Sequence, residues 1–326
     1  MGFEPAPPAG DHPPRGPGRR ALGALAALGV LPRRGVAAAP VGLLIGGAPG
    51  SAADTWARGF APFLERHLPR AAVAVVNRPG EAGLAAVRAI AAAPPDGRLI
   101  AAVAVPRLLS RAIEVRAEDL LARLGFLAVV AEEPLVLVGQ AGRLDDLDAL
   151  RSLGRQPVLG TPPHGSAAQL AALALGGSLD FDLLPFASAP AARQAVLAGH
   201  IAGALLPLPE AIAALRDGRL SGLGLAQPER SDLLPEVATF TEQGIPLQIA
   251  AYRGFAVPAG IDPAVVLPLV AALKAVVVDP EYAAQAHAQG IIPRFIGQAA
   301  WEPMLRRMLA ELGARWSKDP WTARHD

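Results

Sequence analysis

Residues 41 to 64 read Val41-Gly-Leu-Leu-Ile45-Gly-Gly-Ala-Pro-Gly50-Ser51-Ala-Ala-Asp54-Thr-Trp56-Ala-Arg58-Gly-Phe60-Ala-Pro62-Phe63-Leu64, three patterns in succession. The apolar run that opens the stretch has the length and bounds of a buried strand. Gly46 to Gly50 then form a tight loop, and Ser51 is placed to cap a helix carrying Trp56, Phe60, Phe63 and Leu64 on one face. Pro62 conflicts with that helix. An interior proline costs ~3 kcal/mol, so the helix is expected to kink or end there. Strand, loop and helix in this order are the unit of an α/β fold, and the unit recurs. Residues 73–76 read as a second strand, 84–93 as a helix halted by Pro94-Pro95-Asp96-Gly97, and 99–105 as a third strand.

A second set follows the apolar run 135–138. It comprises a short helix near Leu147, a strand at Val158-Leu159, and a helix capped by Ser166 that stops at Gly176-Gly177. Strands are expected at 181–186, 201–206 and 223–226, separated by helices ending at Gly199 and Gly218. The chain returns through 249–257 and finishes with helices starting at Asp262-Pro263, Asp279-Pro280 and near Trp301. The expected organisation is an N-terminal extension over 1–39, a first lobe over 40–138, a second over 139–249, and a return to the first over 250–326. Two connections, near Val138 and Ala250, would then cross between lobes and act as a hinge.

Composition removes several function classes. Thirty Lys and Arg against 29 Asp and Glu leave a formal charge of +1 with no like-charged run, so nucleic acid is not an expected partner. The chain has no Cys, which excludes disulfides, thiolate nucleophiles and Cys-based metal sites. The six His form no H-E-x-x-H pattern, no G-x-S-x-G elbow exists, and nothing identifies a base for Ser51 or Ser166. Neither a catalytic residue, nor a metal site, nor a cofactor is therefore assigned. No apolar run reaches the ~18 residues of a membrane-spanning helix, and the mature protein is expected to be soluble and monomeric. At the N-terminus, Arg19-Arg20, the apolar residues 21–31 and Ala37-Ala38-Ala39 follow the order of a secretory signal, by the general or the twin-arginine route. A disordered tail lengthened by a misplaced start is the other reading.

The candidate ligand residues lie in two loops that each join a strand to a helix start. Ala48, Pro49, Gly50 and Ser51, with Asp54 in the first helical turn, form one; Thr161, His164, Gly165 and Ser166 form the other. Free backbone N–H groups and the positive helix terminus suit a carboxylate or phosphate. Both loops are equally readable as plain tight connections, Ser51 and Ser166 as plain caps, and His164 as a solvated loop residue. Asp54 gains from the helix dipole whether or not it faces a ligand.

Several elements resemble the Bug-type receptors of tripartite tricarboxylate transporters. They are Gly50-Ser51-Ala52-Ala53-Asp54 with Arg58, Asn77-Arg78-Pro79-Gly80 with Gly83, and Pro94-Pro95-Asp96-Gly97. Gly160-Thr161 with Gly165-Ser166, Leu184-Pro185-Phe186, Pro228-Glu229-Arg230-Ser231, Glu242-Gln243-Gly244 and Phe255-Ala256-Val257-Pro258 continue the pattern. The resemblance implies a two-lobed periplasmic-binding-protein-like α/β fold of type II, each lobe a mostly parallel sheet flanked by helices. It also implies a non-enzymatic receptor that closes on a small carboxylate, with transporter membrane components as partners. Where that family tends to have Pro-Tyr-Lys-Gly, this chain has Pro185-Phe186-Ala187-Ser188, so Phe186, Ala187 and Ser188 are further ligand candidates. Losing that lysine favours a monocarboxylate or neutral molecule over a tricarboxylate. A hydrolase using the same cleft and a transport-independent sensor are the alternatives.

Cleavage near Ala39 is the expected fate of the exported precursor. N-terminal sequencing of periplasmic protein checks it: a start near Ala39 is expected, and intact Met1 or Gly2 contradicts it.

Overall fold

A computed structural model describes residues 39–68, 71–153 and 156–322. The signal features at Arg19-Arg20 and residues 21–31 lie outside these. The elements in chain order begin with β1 (Ala39–Ile45), α1 (Ala52–His67), β2 (Ala71–Asn77), α2 (Leu84–Ala91), β3 (Leu99–Val105) and α3 (Arg107–Glu114). A long strand β4 (Leu124–Gln140) leads to α4 (Leu147–Arg151), β5 (Val158–Thr161), α5 (Ala167–Leu175), β6 (Asp182–Pro185) and α6 (Ala189–Leu197). Then come β7 (Gly203–Pro207), α7 (Leu208–Arg216), β8 (Leu220–Leu225), β9 (Ala250–Pro258), α8 (Pro263–Val277), α9 (Pro280–Ala288), β10 (Ile292–Gly297) and α10 (Gln298–Lys318).

The class is α/β, as expected, and local chemistry sets most helix starts. Ser51, Ser166 and Ser188 cap α1, α5 and α6 through their side-chain oxygens, and Asp262 and Asp279 cap α8 and α9 ahead of a proline at the first helical position. The helix carrying Pro62 does not end there; α1 continues to His67. Phe60, Ala61 and Leu64 are buried on both sides of the proline. Burying large apolar side chains is worth ~1.5–3 kcal/mol each, so packing of this face outweighs the ~3 kcal/mol cost of the proline.

Strand order is β2-β1-β3-β9-β4-β7-β5-β6, with β8 and β10 also paired to β4. Two parallel trios, β2-β1-β3 and β7-β5-β6, are joined by antiparallel pairs made by the long strand β4 and the returning strands β9 and β10. From Leu124 to Pro134, β4 pairs with β9; from Leu135 it pairs with β7. Register shifts at Phe126/Ala128, Val129/Ala131 and Leu137/Val138 bend the strand, and Pro134 sits where it changes partners. Helices cover both faces of each strand set. One face of the first set packs Trp56, Phe60, Leu273 and Tyr282; the other packs Val87, Leu109, Trp301 and Leu305. Among the described residues no single helix is long and apolar enough to cross a membrane.

Gly254, in central strand β9, shows how tightly the layers meet: a Cβ there would overlap the Trp301 ring and the Ala128 carbonyl. Neither strand nor buried indole has room to yield. Gly254→Ala is expected to lower stability by ~1–3 kcal/mol, read as a lower urea midpoint at unchanged slope; an unchanged midpoint contradicts this packing.

Candidate ligand site

The loop between β1 and α1 is built around one carboxylate. Asp54, 4% exposed, accepts from Gly50 N–H at 2.9 Å on one oxygen. On the other it accepts from Asn77 Nδ2 at 2.8 Å and pairs with Arg58 Nε at 2.9 Å. Asn77 also donates to the Gly47 carbonyl at 3.0 Å, and Arg58 donates to Asn77 Oδ1 at 3.0 Å. The Arg58 hydrogen bond, then Gly50 N–H and Asn77, hold the Asp54 pKa down to about 2 from the ordinary 3.8, against the opposing effect of burial. Both oxygens are thus engaged by the chain, and Gly50 N–H is committed to Asp54.

The Asn-Arg-Pro-Gly element explains itself here. Asn77 ends β2 as the clamp just described, and the turn after it runs through positive φ at Gly80 (136°), Glu81 (48°), Ala82 (54°) and Gly83 (102°). Two non-glycine residues in that region are strained. The turn brings Gly83 so close to Gly46 that a Cβ on Gly46 would overlap the Gly83 Cα.

Between these loops lies a cavity of about 270 Å³, lined by Gly46, Gly47, Ser51, Ala52 and Ala53 on one side and Ala82 and Gly83 on the other. Trp56, Val87, Ala102, Val103 and Leu108 supply apolar walls, and Arg253 from β9 is the one charged side chain on the lining. Arg253 is largely buried, pairs with Glu133 of β4, and lies 5.2 Å from the Trp56 ring centroid. Ser51 Oγ accepts from Asp54 N–H at 3.3 Å, which leaves its O–H free to donate. The N–H groups of Ala52 and Ala53 belong to a first turn, where no intrahelical acceptor exists. The cavity is therefore lined by two first-turn residues whose N–H groups lack an intrahelical acceptor, by Ser51 and by Arg253, over an apolar floor.

Of the candidate ligand residues named from sequence, only Ser51 lines this cavity; Ala48, Pro49 and Gly50 are exposed. The second loop lies elsewhere. Thr161 is fully buried with its Oγ1 unpartnered, Ser166 Oγ accepts from Gln169 N–H at 3.2 Å, and Gly165 N–H donates to Gln169 Oε1 at 2.8 Å. His164 Nδ1 contacts the Trp321 carbonyl at 2.8 Å. This loop abuts α3, since the Cβ position of Gly165 faces Arg107, Ser110 and Glu114, while neighbouring Leu108 lines the cavity. Phe186 N–H donates to the Thr161 carbonyl at 2.8 Å, whereas Ala187 and Ser188 are exposed and Ser188 serves as a cap. Sequence reasoning missed Arg253, although a lone charge inside the apolar run 249–257 is itself a signal of a buried, paired group.

The receptor family of tripartite tricarboxylate transporters matches residues 57–306. The chain belongs to that family. Among solved structures, the receptor is similar to a solute-binding protein of the same family from Polaromonas, at 24% identity and TM-score 0.72, covering 86% of this chain and 98% of that one. It is similar also to MatC from Rhodopseudomonas palustris with bound malate (22%, TM-score 0.68, 84% and 98% covered). A third is an R. palustris protein with adipate (21%, TM-score 0.69, 86% and 95% covered). At these identities the likeness establishes the fold of the receptor. No curated protein matches the sequence.

The Asp54 node carries a signature in pH. Its pKa is depressed in the folded receptor, so its contribution to stability is complete above the ordinary value near 3.8 and is lost as pH falls towards about 2. Asp54→Asn is expected to be less stable than the parent at pH 7 and to lose less stability between pH 4 and pH 2. Melting curves across that window check it; parallel losses in parent and variant contradict the node.

Proposed function

We propose that the receptor captures a small organic acid in the cavity at the α1 N-terminus and delivers it to the membrane components of a tripartite tricarboxylate-type transporter. The observation that carries this is the meeting of the Ala52 and Ala53 N–H groups, the Ser51 hydroxyl and Arg253 on one apolar cavity. A carboxylate satisfies such donors at a positive helix terminus, and the apolar walls accept a short carbon chain. A space of about 270 Å³ is at the small end of ligand pockets and suits a mono- or dicarboxylate. Malate and adipate in the similar structures have this size and chemistry.

On this reading the receptor works in the periplasm as a monomer without catalysing a reaction. Asp54 organises the donors rather than touching the acid. Thr161, Ser166 and the backbone of the second loop approach the ligand from across α3 as the two strand sets close over it, bending where β4 and β9 pass between them. Closure is driven by contacts that exist only when both loops engage.

A melting screen with malate, adipate and their neutral amides tests the reading. At ~100 times the dissociation constant an acid is expected to add ~2.7 kcal/mol of stability, with the matching amide adding little. Replacing Arg253 by Met together with Glu133 by Gln, which avoids a lone buried carboxylate, removes a charge-assisted bond worth ~1.5–3 kcal/mol, or about a 10- to 100-fold loss of affinity. Equal response to acids and amides, or unchanged affinity in the double variant, contradicts the proposal.

A further inference from the structure

Trp321 lies beyond the residues that the family model spans and just after α10 ends at Lys318. It is nevertheless 3% exposed, with its ring 4.6 Å from that of Trp316, in the apolar cluster that also holds Leu109 of α3 and Leu170 of α5. Its indole N–H donates to Glu114 Oε1 of α3 at 2.7 Å. Its backbone carbonyl accepts from Gln169 Nε2 of α5 at 3.0 Å and from His164 Nδ1 at 2.8 Å. A carbonyl offers no proton, so His164 carries one on Nδ1 and the nearby Gln169 amide donates to the carbonyl instead.

Each partner in this knot is itself held. Glu114 pairs with Arg111 at 2.9 Å and Arg107 at 3.4 Å. Gln169 is 2% exposed, and its Oε1 receives Gly165 N–H, fixing the one residue of the loop with positive φ (69°). Parting α3 from α5 would leave either the indole N–H or the Gln169 amide and His164 Nδ1–H without a partner, according to which helix Trp321 follows, and such donors are costly to leave unpaired. The contact is therefore a specific tie, unlike a tail that merely rests on a surface.

We propose that Trp321 is a positioning residue for loop 161–166: it ties that loop to α3 and holds the two strand sets together on this flank of the cavity. The proposal rests on the reading of this loop as part of the ligand site. Trp321 acts through Gln169, His164 and Glu114, and the tie sets how far the second loop can withdraw from the cavity wall that Leu108 provides.

The absence of Cys makes the test direct, because two introduced thiols are the only labelling sites. Leu267→Cys on α8 and Leu184→Cys on β6, 67% and 45% exposed, take spin labels on opposite strand sets. Pulsed electron-resonance distances are measured without any added acid in the otherwise intact chain, in Trp321→Ala, in Trp321→Phe, and in a chain ending at Pro320. A single narrow distance is expected with Trp321, and a broader distribution with a longer component in the alanine and shortened chains. Trp321→Phe, which keeps ring and carbonyl but lacks the N–H to Glu114, is expected to fall between them, and it decides the matter if the other two fail to fold. Parent-like distributions in every variant that folds overturn the proposal. Because no acid is present, failure of the carboxylate reading would appear in the melting screen and leave this result unaffected.

Discussion

One strand is shared by both halves of the receptor, and the rest of the architecture follows from how it changes partners. Glu132, Glu133 and Pro134 mark the change within β4. The two glutamates are buried on opposite faces, since neighbouring residues of a strand alternate, and each has its own arginine: Glu132 with Arg294 of β10 at 2.9 Å, Glu133 with Arg253 of β9. Removing either arginine would leave a buried carboxylate unpaired, so the junction favours the register of β4, β9 and β10 together. That register in turn places Arg253 on the cavity.

Charge balance within the site follows the same logic. Asp54 is matched by Arg58, and Arg253, the one charged side chain on the cavity, by Glu133, so the formal charges around the site cancel in pairs. What remains is a set of oriented dipoles: first-turn N–H groups, a hydroxyl and the outward face of a guanidinium. Preorganised donors of this kind need no rearrangement to receive an anion, and they discriminate poorly among carboxylates. On the proposed reading, selectivity falls to the apolar walls, which Val87, Ala102, Val103 and Leu108 supply.

What could be read in the sequence was whatever chemistry is local. Ser51, Ser166, Asp262 and Asp279 announced helix starts because a cap acts within three residues, and the apolar runs near 41–45 and 99–105 announced strands because burial is written in each residue. The span of β4 from Leu124 was hidden because its glycine, two glutamates and proline are tolerated only through partners on β9 and β10. The candidate loop was legible as a donor array, but not its use of Gly50 N–H for Asp54, since Asn77, which completes that node, is distant in sequence. Arg253 escaped for the same reason: its partner Glu133 is known only once β4 and β9 lie side by side. Trp321 packs in an apolar cluster, and its polar contacts to Glu114, His164 and Gln169 were beyond any local pattern.

The most direct test of the central claim is a crystal structure of the receptor with the acid that most raises its melting temperature. A carboxylate within hydrogen-bond distance of the Ala52 and Ala53 N–H groups, Ser51 and Arg253, with its carbon chain against Val87, Ala102, Val103 and Leu108, is the predicted result. Density for the acid in the separate groove lined by Gln140, Arg143 and His200, with the α1 N-terminus left to water, would contradict it.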